Sequence, residues 1–372
     1  MAERSNIVFV VPTLAAGGAE RVVTILARNL DRSKFGITLA IVDMRSAALL
    51  PEVPADVRVV DLTAHRVRFG LLRVAWMAWM ERLDVIFSTL DHLNTGLAMT
   101  RWLWPRRVAF MARPGRSAAS WIADERVRGK HFLLRMLARR ADCIVFQTPE
   151  MQANFCETIH PVVPRRAVAI RNPVDVEAVQ RSAKDPDVRT GYGKDAFNLV
   201  AVGRLVLVKG FDLLIAALAL SRIDAMLTIV GEGPELEALK ALAVQRGVGG
   251  RVRFAGYQQN PYPFIAQANA LVLPSRSEGS PNVVWEALAC STRVIATPVS
   301  NIAQTLNRMP GCGVAENCTA EALADALRRL LGPKPDPNSS MPPVELHIGL
   351  DSVRDYEEAI VDTIRRRRSG ER

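Results

Sequence analysis

The amino-acid sequence predicts an α/β protein built as two doubly wound domains in tandem, and three observations carry this prediction. Short apolar runs alternate with amphipathic stretches up to Thr148, and the same alternation restarts at Phe197. Between them, Asn172-Pro173, Asp185-Pro186-Asp187 and Gly191-Tyr192-Gly193 break the pattern with turn chemistry. A chain of 372 residues, 49% hydrophobic, holds enough apolar material for two cores, since a domain takes roughly 100–200 residues.

Along the first half, Asn6–Pro12 reads as a buried parallel strand, and Ala19–Asn29 as a helix whose Val22, Val23, Ile25 and Leu26 share a face. Strands follow at Gly36–Met44, Val57–Leu62, Asp84–Leu90, Val108–Arg113 and Cys143–Thr148. In the second half, strands Phe197–Gly203, Ala225–Val230, Val252–Phe254, Ala270–Pro274 and Val294–Thr297 alternate with helices Phe211–Ser221, Glu235–Gly247, Pro263–Ala268 and Pro281–Cys290. Helical crossovers between strands imply parallel sheets covered on both faces. The Pro-rich stretch Pro333–Pro343 reads as an irregular connection. It leads to a helix over Leu350–Arg366, with Val353, Tyr356, Ile360 and Ile364 at near-helical spacing and its arginines late, where the helix dipole favours them. The expected division is 1–172, a linker at 173–196, a second domain at 197–340, and at 341–372 a terminal helix, expected to pack back on the first domain, with a basic tail.

The net charge of +10 asks for a negative partner or surface. Nucleic acid is set aside, because no basic-aromatic RNA-binding pattern and no paired Cys/His spacing is present. A nucleoside diphosphate and an anionic membrane surface answer the charge; the run Arg365–Arg368 also reads as a solvated tail. Five cysteines with no CxxC pair argue against a disulfide framework and fit a reducing compartment. The N-terminus MAERSNIVFVVP is too polar and its apolar run too short for a signal peptide. No run approaches the roughly 20 apolar residues that span a bilayer. The expectation is a cytoplasmic protein, with peripheral attachment to the membrane's cytoplasmic face as an option.

Chemistry concentrates in the second half. Gly203-Arg204-Leu205 ends a strand and Lys209-Gly210-Phe211-Asp212 opens a helix, at the strand end where α/β sheets bind ligands. Arg204 can hold a phosphate in a bidentate fork, and Lys209 can act as a point charge. Two surface cations beside a helix start would read the same way. Further on, Ser280 reads as an N-cap and Pro281 as the first helical residue, so the helix start, including Asn282 and Val283, offers a diphosphate site. Glu286, deeper in that helix, suits a vicinal diol such as ribose, and Glu278, just before it, suits sugar hydroxyls.

Glu278 and Glu286, seven residues between them, resemble the E-x7-E motif of retaining family-4 glycosyltransferases. Val202–Leu205 with Lys209–Asp212 resembles that family's phosphate-binding segment, Ile229–Pro234 its second strand and loop, and Val252–Gly256 the segment that packs on the nucleobase. The matches run in order from about residue 197 to 300. The resemblance implies the GT-B fold: two Rossmann-like domains facing each other across a cleft that holds the active site. It implies that Arg204 and Lys209 bind the diphosphate, Glu286 the ribose, and Glu278 with the backbone of Pro281–Val283 the sugar and phosphate; Arg253 and Ser280 join this donor set.

In the first half, Gly17-Gly18-Ala19-Glu20-Arg21 resembles the family's glycine loop, which approaches donor phosphate and acceptor. A Gly-Gly after a strand serves turns too, and the third glycine of a dinucleotide fingerprint is absent. Many family members carry a histidine at the end of a middle strand of the first domain; here Arg113 takes that place, and His92 stands near another strand end. Glu20, His92 and Arg113 are thus the acceptor-side candidates. No Asp-x-Asp pair or His/Cys cluster appears where a metal would sit, and members of this fold use protein cations on the leaving diphosphate, so neither metal nor cofactor is expected.

The sequence therefore reads as a hexosyl- or N-acetylhexosaminyl-transferase that moves a sugar from a nucleoside diphosphate donor, with UDP favoured, to a saccharide or polyprenol-linked saccharide with retention, in glycan or polysaccharide biosynthesis. Residues 66–82 (Arg66, Arg68, Phe69, Leu71, Leu72, Arg73, Trp76, Met77, Trp79, Met80) and 102–107 (Trp102, Leu103, Trp104, Pro105, Arg106, Arg107) have the basic-aromatic composition of interfacial helices. A helix covering its own sheet, with its arginines in water, explains 71–80 equally. A nucleotide-sugar epimerase of the same architecture and a non-catalytic nucleotide-sugar-binding protein are the rival functions.

Overall fold

The computed structural model describes residues 4–15, 17–45, 47–62, 67–123, 129–193, 195–332, 336 and 349–370, with the side chains of Val67, Arg68 and Asn301 excepted. Two compact units result: residues up to Val174 together with those from Leu350 on, and Asp175–Gly349. Arg66 and, apart from Asp336, the stretch Pro333–Pro343 lie outside the described residues.

The first unit holds a parallel sheet of β1 (Ser5–Val11), β2 (Phe35–Ile41), β3 (Arg58–Asp61), β4 (Val85–Thr89), β5 (Ala109–Arg113), β6 (Cys143–Phe146) and β7 (Ala167–Ala169), in the order β3-β2-β1-β4-β5-β6-β7. Between strands run α1 (Gly18–Asn29), α2 (Val67–Met80), α3 (Asp91–Thr100), α4 (Ala118–Ala123), α5 (Lys130–Arg140) and α6 (Pro149–Ile159). Side chains alternate across a strand, so an apolar run feeds both faces of a covered sheet. Val8 and Val10 of β1 join the core shared with α2, α3, α5 and α6, while Ile7, Phe9 and Val11 join the one shared with α1.

The C-terminal helix (Asp351–Ser369) belongs to this first unit. Val353, Tyr356, Ile360 and Ile364 enter the α1-side core, and the Tyr356 ring meets Phe87 edge-on at 6.1 Å. The terminal arginines are not merely a solvated tail: Arg367 pairs with Asp142 at 3.1 Å and Arg368 with Asp84 at 2.6 Å. These two aspartates stand immediately before β6 and β4 and accept backbone N–H groups from Phe110 and Asn6, so the arginines neutralise carboxylates already fixed at the sheet's amino edge.

The second unit opens with α7 (Val176–Ala183), where the sequence suggests only a linker. Asp175 caps it by accepting from the Ala178 N–H at 2.9 Å, and Val179 is buried against the second sheet. The sheet comprises β8 (Asn198–Val202), β9 (Met226–Val230), β10 (Val252–Gly256), β11 (Ala270–Leu273), β12 (Arg293–Ala296) and β13 (Gly313–Val314), all parallel, in the order β10-β9-β8-β11-β12-β13. Helices α8 (Phe211–Ser221), α9 (Leu236–Gln245), α10 (Tyr262–Ala266), α11 (Asn282–Ala289), α12 (Ala303–Leu306) and α13 (Ala320–Leu331) complete it. Leu199 and Ala201 face α8, α9 and α13, whereas Val200 faces α7, α10 and α11. β13 and α13 follow the last strand that the sequence reading assigned.

Candidate functional site

In the second sheet the strand order reverses between β8 and β11, which makes their carboxyl ends the switch point where doubly wound sheets bind ligands. Two loops leave this point: 203–210 after β8 and 274–281 after β11. Gly210 lies in the left-handed region at φ 66°, and a Cβ there would stand 2.0 Å from the Pro274 carbonyl oxygen. Only glycine permits that approach. Arg276 then joins the loops: its N–H donates to the Val208 carbonyl at 2.8 Å, and its guanidinium donates to Leu207 O at 2.8 Å and to both Asp212 oxygens at 2.7 and 2.6 Å. Burial raises the Asp212 carboxyl, but the Arg276 hydrogen bonds and charge outweigh it and leave its pKa below the ordinary value.

Within this frame the Lys209 Nζ donates to Glu278 Oε1 at 2.6 Å, and the Ser275 hydroxyl donates to the same oxygen at 2.6 Å. One carboxylate oxygen is therefore fixed twice, while Oε2 takes no partner among the described residues. Ser300, at φ 52°, bonds through Oγ with the Glu278 and Gly279 carbonyls, each at 2.9 Å, and so pins the loop's backbone. Arg204 is exposed, without a side-chain partner among the described residues. Its exposure contrasts with Lys209, which the carboxylate holds. Gly203 precedes it at the end of β8.

The helix after this loop begins one residue later than expected. Pro281 is the N-cap of α11, with φ −76° and ψ 97°, and no side chain caps it; Asn282 is the first helical residue and Val283 the second. Ser280 is thus a loop residue rather than the cap. Glu286 lies on the second turn, buried, with the Tyr262 hydroxyl 3.4 Å from Oε1. Beside it, burial and the Glu286 charge push the Cys290 thiol up to about 12.

Arg253, expected in the donor set, has protein partners of its own. Its guanidinium donates to the Thr190 carbonyl and packs over the rings of Tyr192 and Phe264, at 5.9 and 6.0 Å from their centroids. It is half-buried and committed to holding residues 190–192, which is structural work on the edge strand β10. A cation beside two aromatic rings and a free carbonyl is drawn there more strongly than into solvent.

The first unit places its candidates at the carboxyl ends of β1, β4 and β5, around the reversal between β1 and β4. Gly17 caps α1 and Gly18 opens it. Glu20 is buried and folds back over the glycine loop, so that a Cβ at Gly17 would meet its Oε2 at 2.3 Å. Arg113, at the end of β5, is 3% exposed, and its guanidinium reaches the Tyr356 hydroxyl at 3.2 Å, Thr89 Oγ1 at 3.3 Å and the Asn172 side chain. It ties β5 to β4, the C-terminal helix and the chain's exit from the unit. His92 is exposed on the first turn of α3, with its pKa lowered by desolvation and the Arg116 charge. The residue next to it carries more signal: burial pushes Asp91 up to about 6 against the pull of Arg116, 3.4 Å away, and Gly115 donates its N–H at 3.3 Å.

Sequence reasoning missed Ser275, Ser300, Arg276 and Asp91. Ser275 had a signal, as the first hydroxyl beyond a strand end and three residues before Glu278. Ser300 had none, because its role depends on a left-handed backbone. Among the described residues, no cluster of three or more His, Cys, Asp or Glu is gathered as a metal would need, and no helix is long and apolar enough to cross a membrane.

Two parallel sheets of seven and six strands, each doubly wound, define the GT-B class. The chain shares that fold with the crystal structure of Anabaena HepE in complex with UDP and glucose: TM-score 0.73 and 16% identity over 96% of this chain and 100% of that one. It is also similar to sucrose-phosphate synthase from Thermosynechococcus elongatus, at TM-score 0.74 and 18% identity over 98% and 99% of the two chains. Residues 196–332 match the family Glycosyl transferases group 1. Curated relatives include the N-acetylgalactosamine-N,N'-diacetylbacillosaminyl-diphospho-undecaprenol 4-alpha-N-acetylgalactosaminyltransferase of Campylobacter jejuni, 26% identical over 77% of this chain and 78% of the relative. Another is the lipopolysaccharide core biosynthesis glycosyltransferase LpsE of Rhizobium meliloti, 35% identical over 61% of this chain and 59% of that protein. The match to the group 1 glycosyltransferases thus lies in the second unit, and the chain as a whole is similar to glycosyltransferases of that fold.

Proposed function

We propose that this glycosyltransferase acts in glycan biosynthesis, moving a hexosyl or N-acetylhexosaminyl group from a UDP-sugar to a polyprenol-linked saccharide with retention of configuration. The observation that carries the reading is the Lys209–Glu278–Ser275 cluster at the β8/β11 switch point, with exposed Arg204 before it and the start of α11 after it. Arg204 and Lys209 neutralise the diphosphate, and the α11 start adds its dipole. Glu278 offers Oε2 to a sugar hydroxyl, and Glu286 faces the ribose. HepE was solved with UDP and glucose, and the Campylobacter relative is named for an undecaprenol-linked acceptor, which supports the donor and acceptor classes.

In the proposed reaction the bond from the sugar's anomeric carbon to the diphosphate breaks, and the electron pair leaves with the phosphate. The acceptor oxygen bonds the same face of that carbon, and its proton passes to the departing phosphate oxygen. Charge developing on the leaving group is met by Lys209, which Glu278 holds in place, and by Arg204 from the loop before it, so that protein cations supply the electrostatic stabilisation. Because protein cations meet that charge, EDTA is expected to leave turnover unchanged.

The test is turnover of a UDP-sugar panel by wild type, Arg204→Ala and Lys209→Ala, with products resolved by mass spectrometry and the anomer by NMR. Each variant is expected to lose about 100-fold or more, the usual cost of removing one preorganised group that stabilises developing charge. Near-wild-type rates in both would sink the assignment, and a free isomerised sugar nucleotide would indicate an epimerase instead.

A further inference from the structure

The helix α2 is apolar on both sides, yet only one side is covered. Leu71, Val74, Met77 and Ala78 turn inward, with Leu71 seated against Gly96 of α3. Phe69, Leu72, Trp76, Trp79 and Met80 recur at spacings of three and four, so they share the outer face, and all five are exposed. Trp76 and Trp79 are each 61% exposed, and Trp102, just after α3, is 71% exposed. The Trp79 indole donates to the Leu103 carbonyl at 2.6 Å, and Arg107 donates to the Ala78 and Glu81 carbonyls at 3.4 and 3.2 Å, so the end of α2 and the 101–107 segment form one surface. A helix apolar all round is normally buried, and a contiguous apolar patch of this kind marks an interaction site.

The charge around the patch says what covers it. Exposed Arg73, Arg82, Arg106 and Arg107 border it, and Glu81, the sole acid between residues 67 and 82, is paired with Arg58 at 3.0 Å. Tryptophan prefers the boundary between hydrocarbon and water, and arginine beside it meets lipid phosphate. We infer that the outer face of α2, continued by Trp102, docks this protein on an anionic lipid bilayer. The inference stands on this surface alone and does not depend on the transfer reaction above.

Co-sedimentation with vesicles tests it without donor or acceptor, so its failure leaves the transfer reading untouched. The wild type is expected to pellet at low salt with phosphatidylglycerol–phosphatidylethanolamine vesicles and to remain in solution with phosphatidylcholine alone, with a blue shift of tryptophan emission on binding. Trp76→Glu combined with Trp102→Glu is expected to lower the bound fraction about tenfold or more while the thermal midpoint holds, because both side chains are already exposed. Arg82→Gln and Arg106→Gln, which leave the apolar face intact, are each expected to weaken binding about fivefold. Three results would overturn the inference: wild type remaining in solution with anionic vesicles, the double tryptophan variant pelleting as wild type does, or a dimer by light scattering that the same variant converts to monomer. The last would make a second copy of this chain the cover.

Discussion

At the scale of single residues, Asp91 gives the clearest pH dependence. Its carboxyl is 15% exposed and titrates at about 6, against 3.8 for the ordinary group, because burial outweighs the Arg116 charge. A raised acid binds its proton more tightly folded than unfolded. As pH rises from about 4 to about 6 the unfolded chain releases that proton while the folded chain keeps it, so stability falls through this window and the loss is complete above it. The loss is on the order of 2 to 3 kcal/mol. Asp91→Asn keeps an acceptor for the Gly115 N–H and removes the titration, so urea unfolding should show the variant gaining on wild type between about pH 4 and about pH 7. A constant difference across the range would mean that the carboxyl is not perturbed. Arg113 makes the opposite case, a buried charge whose partners surround it. Arg113→Ala takes the guanidinium from the Tyr356 hydroxyl, Thr89 Oγ1 and the Asn172 side chain inside the first unit and is expected to cost about 3 kcal/mol in the same measurement. Lysine should not rescue it, since an ammonium cannot reach three partners as a planar fork does.

At the scale of elements, the site is made by two loops that only particular residues allow to meet. Gly210→Ala would force a Cβ against the Pro274 carbonyl and hold alanine at φ 66°, so the loops must separate. The expected outcome is a lower thermal midpoint, a cost of more than about 1 kcal/mol, together with loss of UDP-sugar turnover, because Lys209 and Glu278 no longer meet. Turnover at the wild-type level would show that the loop contact does not position the pair. Much of this region was legible beforehand: Arg204, Lys209, Glu278 and Glu286 declare themselves by charge at strand ends and helix starts. The stitch between the loops was not, because Arg276 reads as one more surface cation until Asp212 is placed beside it. The same limit hid α7, whose eight residues follow a Pro and an Asp that suggest a turn until Asp175 is seen capping a helix. It also hid β7 and β13, which are three and two residues long and defined by pairing rather than by pattern. The partners of Arg253 were hidden for a related reason: its packing against Tyr192, Phe264 and the Thr190 carbonyl depends on residues well separated from it in sequence.

At the scale of the molecule, the two units differ in how the chain closes them. Each hydrophobic core draws its residues from one unit alone. The second unit is a single continuous stretch, Asp175–Gly349, with a complete sheet and helices on both faces. The first is assembled from two distant stretches, and the later one supplies Val353, Tyr356, Ala359, Ile360 and Ile364 to its core, along with Arg367 and Arg368 to the sheet's amino edge. Removing a fully buried Tyr or Ile side chain costs about 2–5 kcal/mol, so losing the whole helix exceeds the 5–15 kcal/mol that a domain has in total. A fragment of residues 1–174 is therefore expected to lack a cooperative unfolding transition, and adding a peptide of residues 350–370 in excess should restore one. A fragment of residues 175–349 should unfold cooperatively by itself. With the Lys209–Glu278 cluster wholly inside it, that fragment should also be stabilised by UDP, by about 2.7 kcal/mol at a concentration 100 times its Kd, and its thermal midpoint should rise accordingly. Calorimetry of the two fragments, with and without UDP, separates these outcomes. A stable, cooperative 1–174 fragment would mean that the C-terminal helix is an accessory to the first core, and no UDP shift in 175–349 would count against the Lys209–Glu278 cluster as a UDP site.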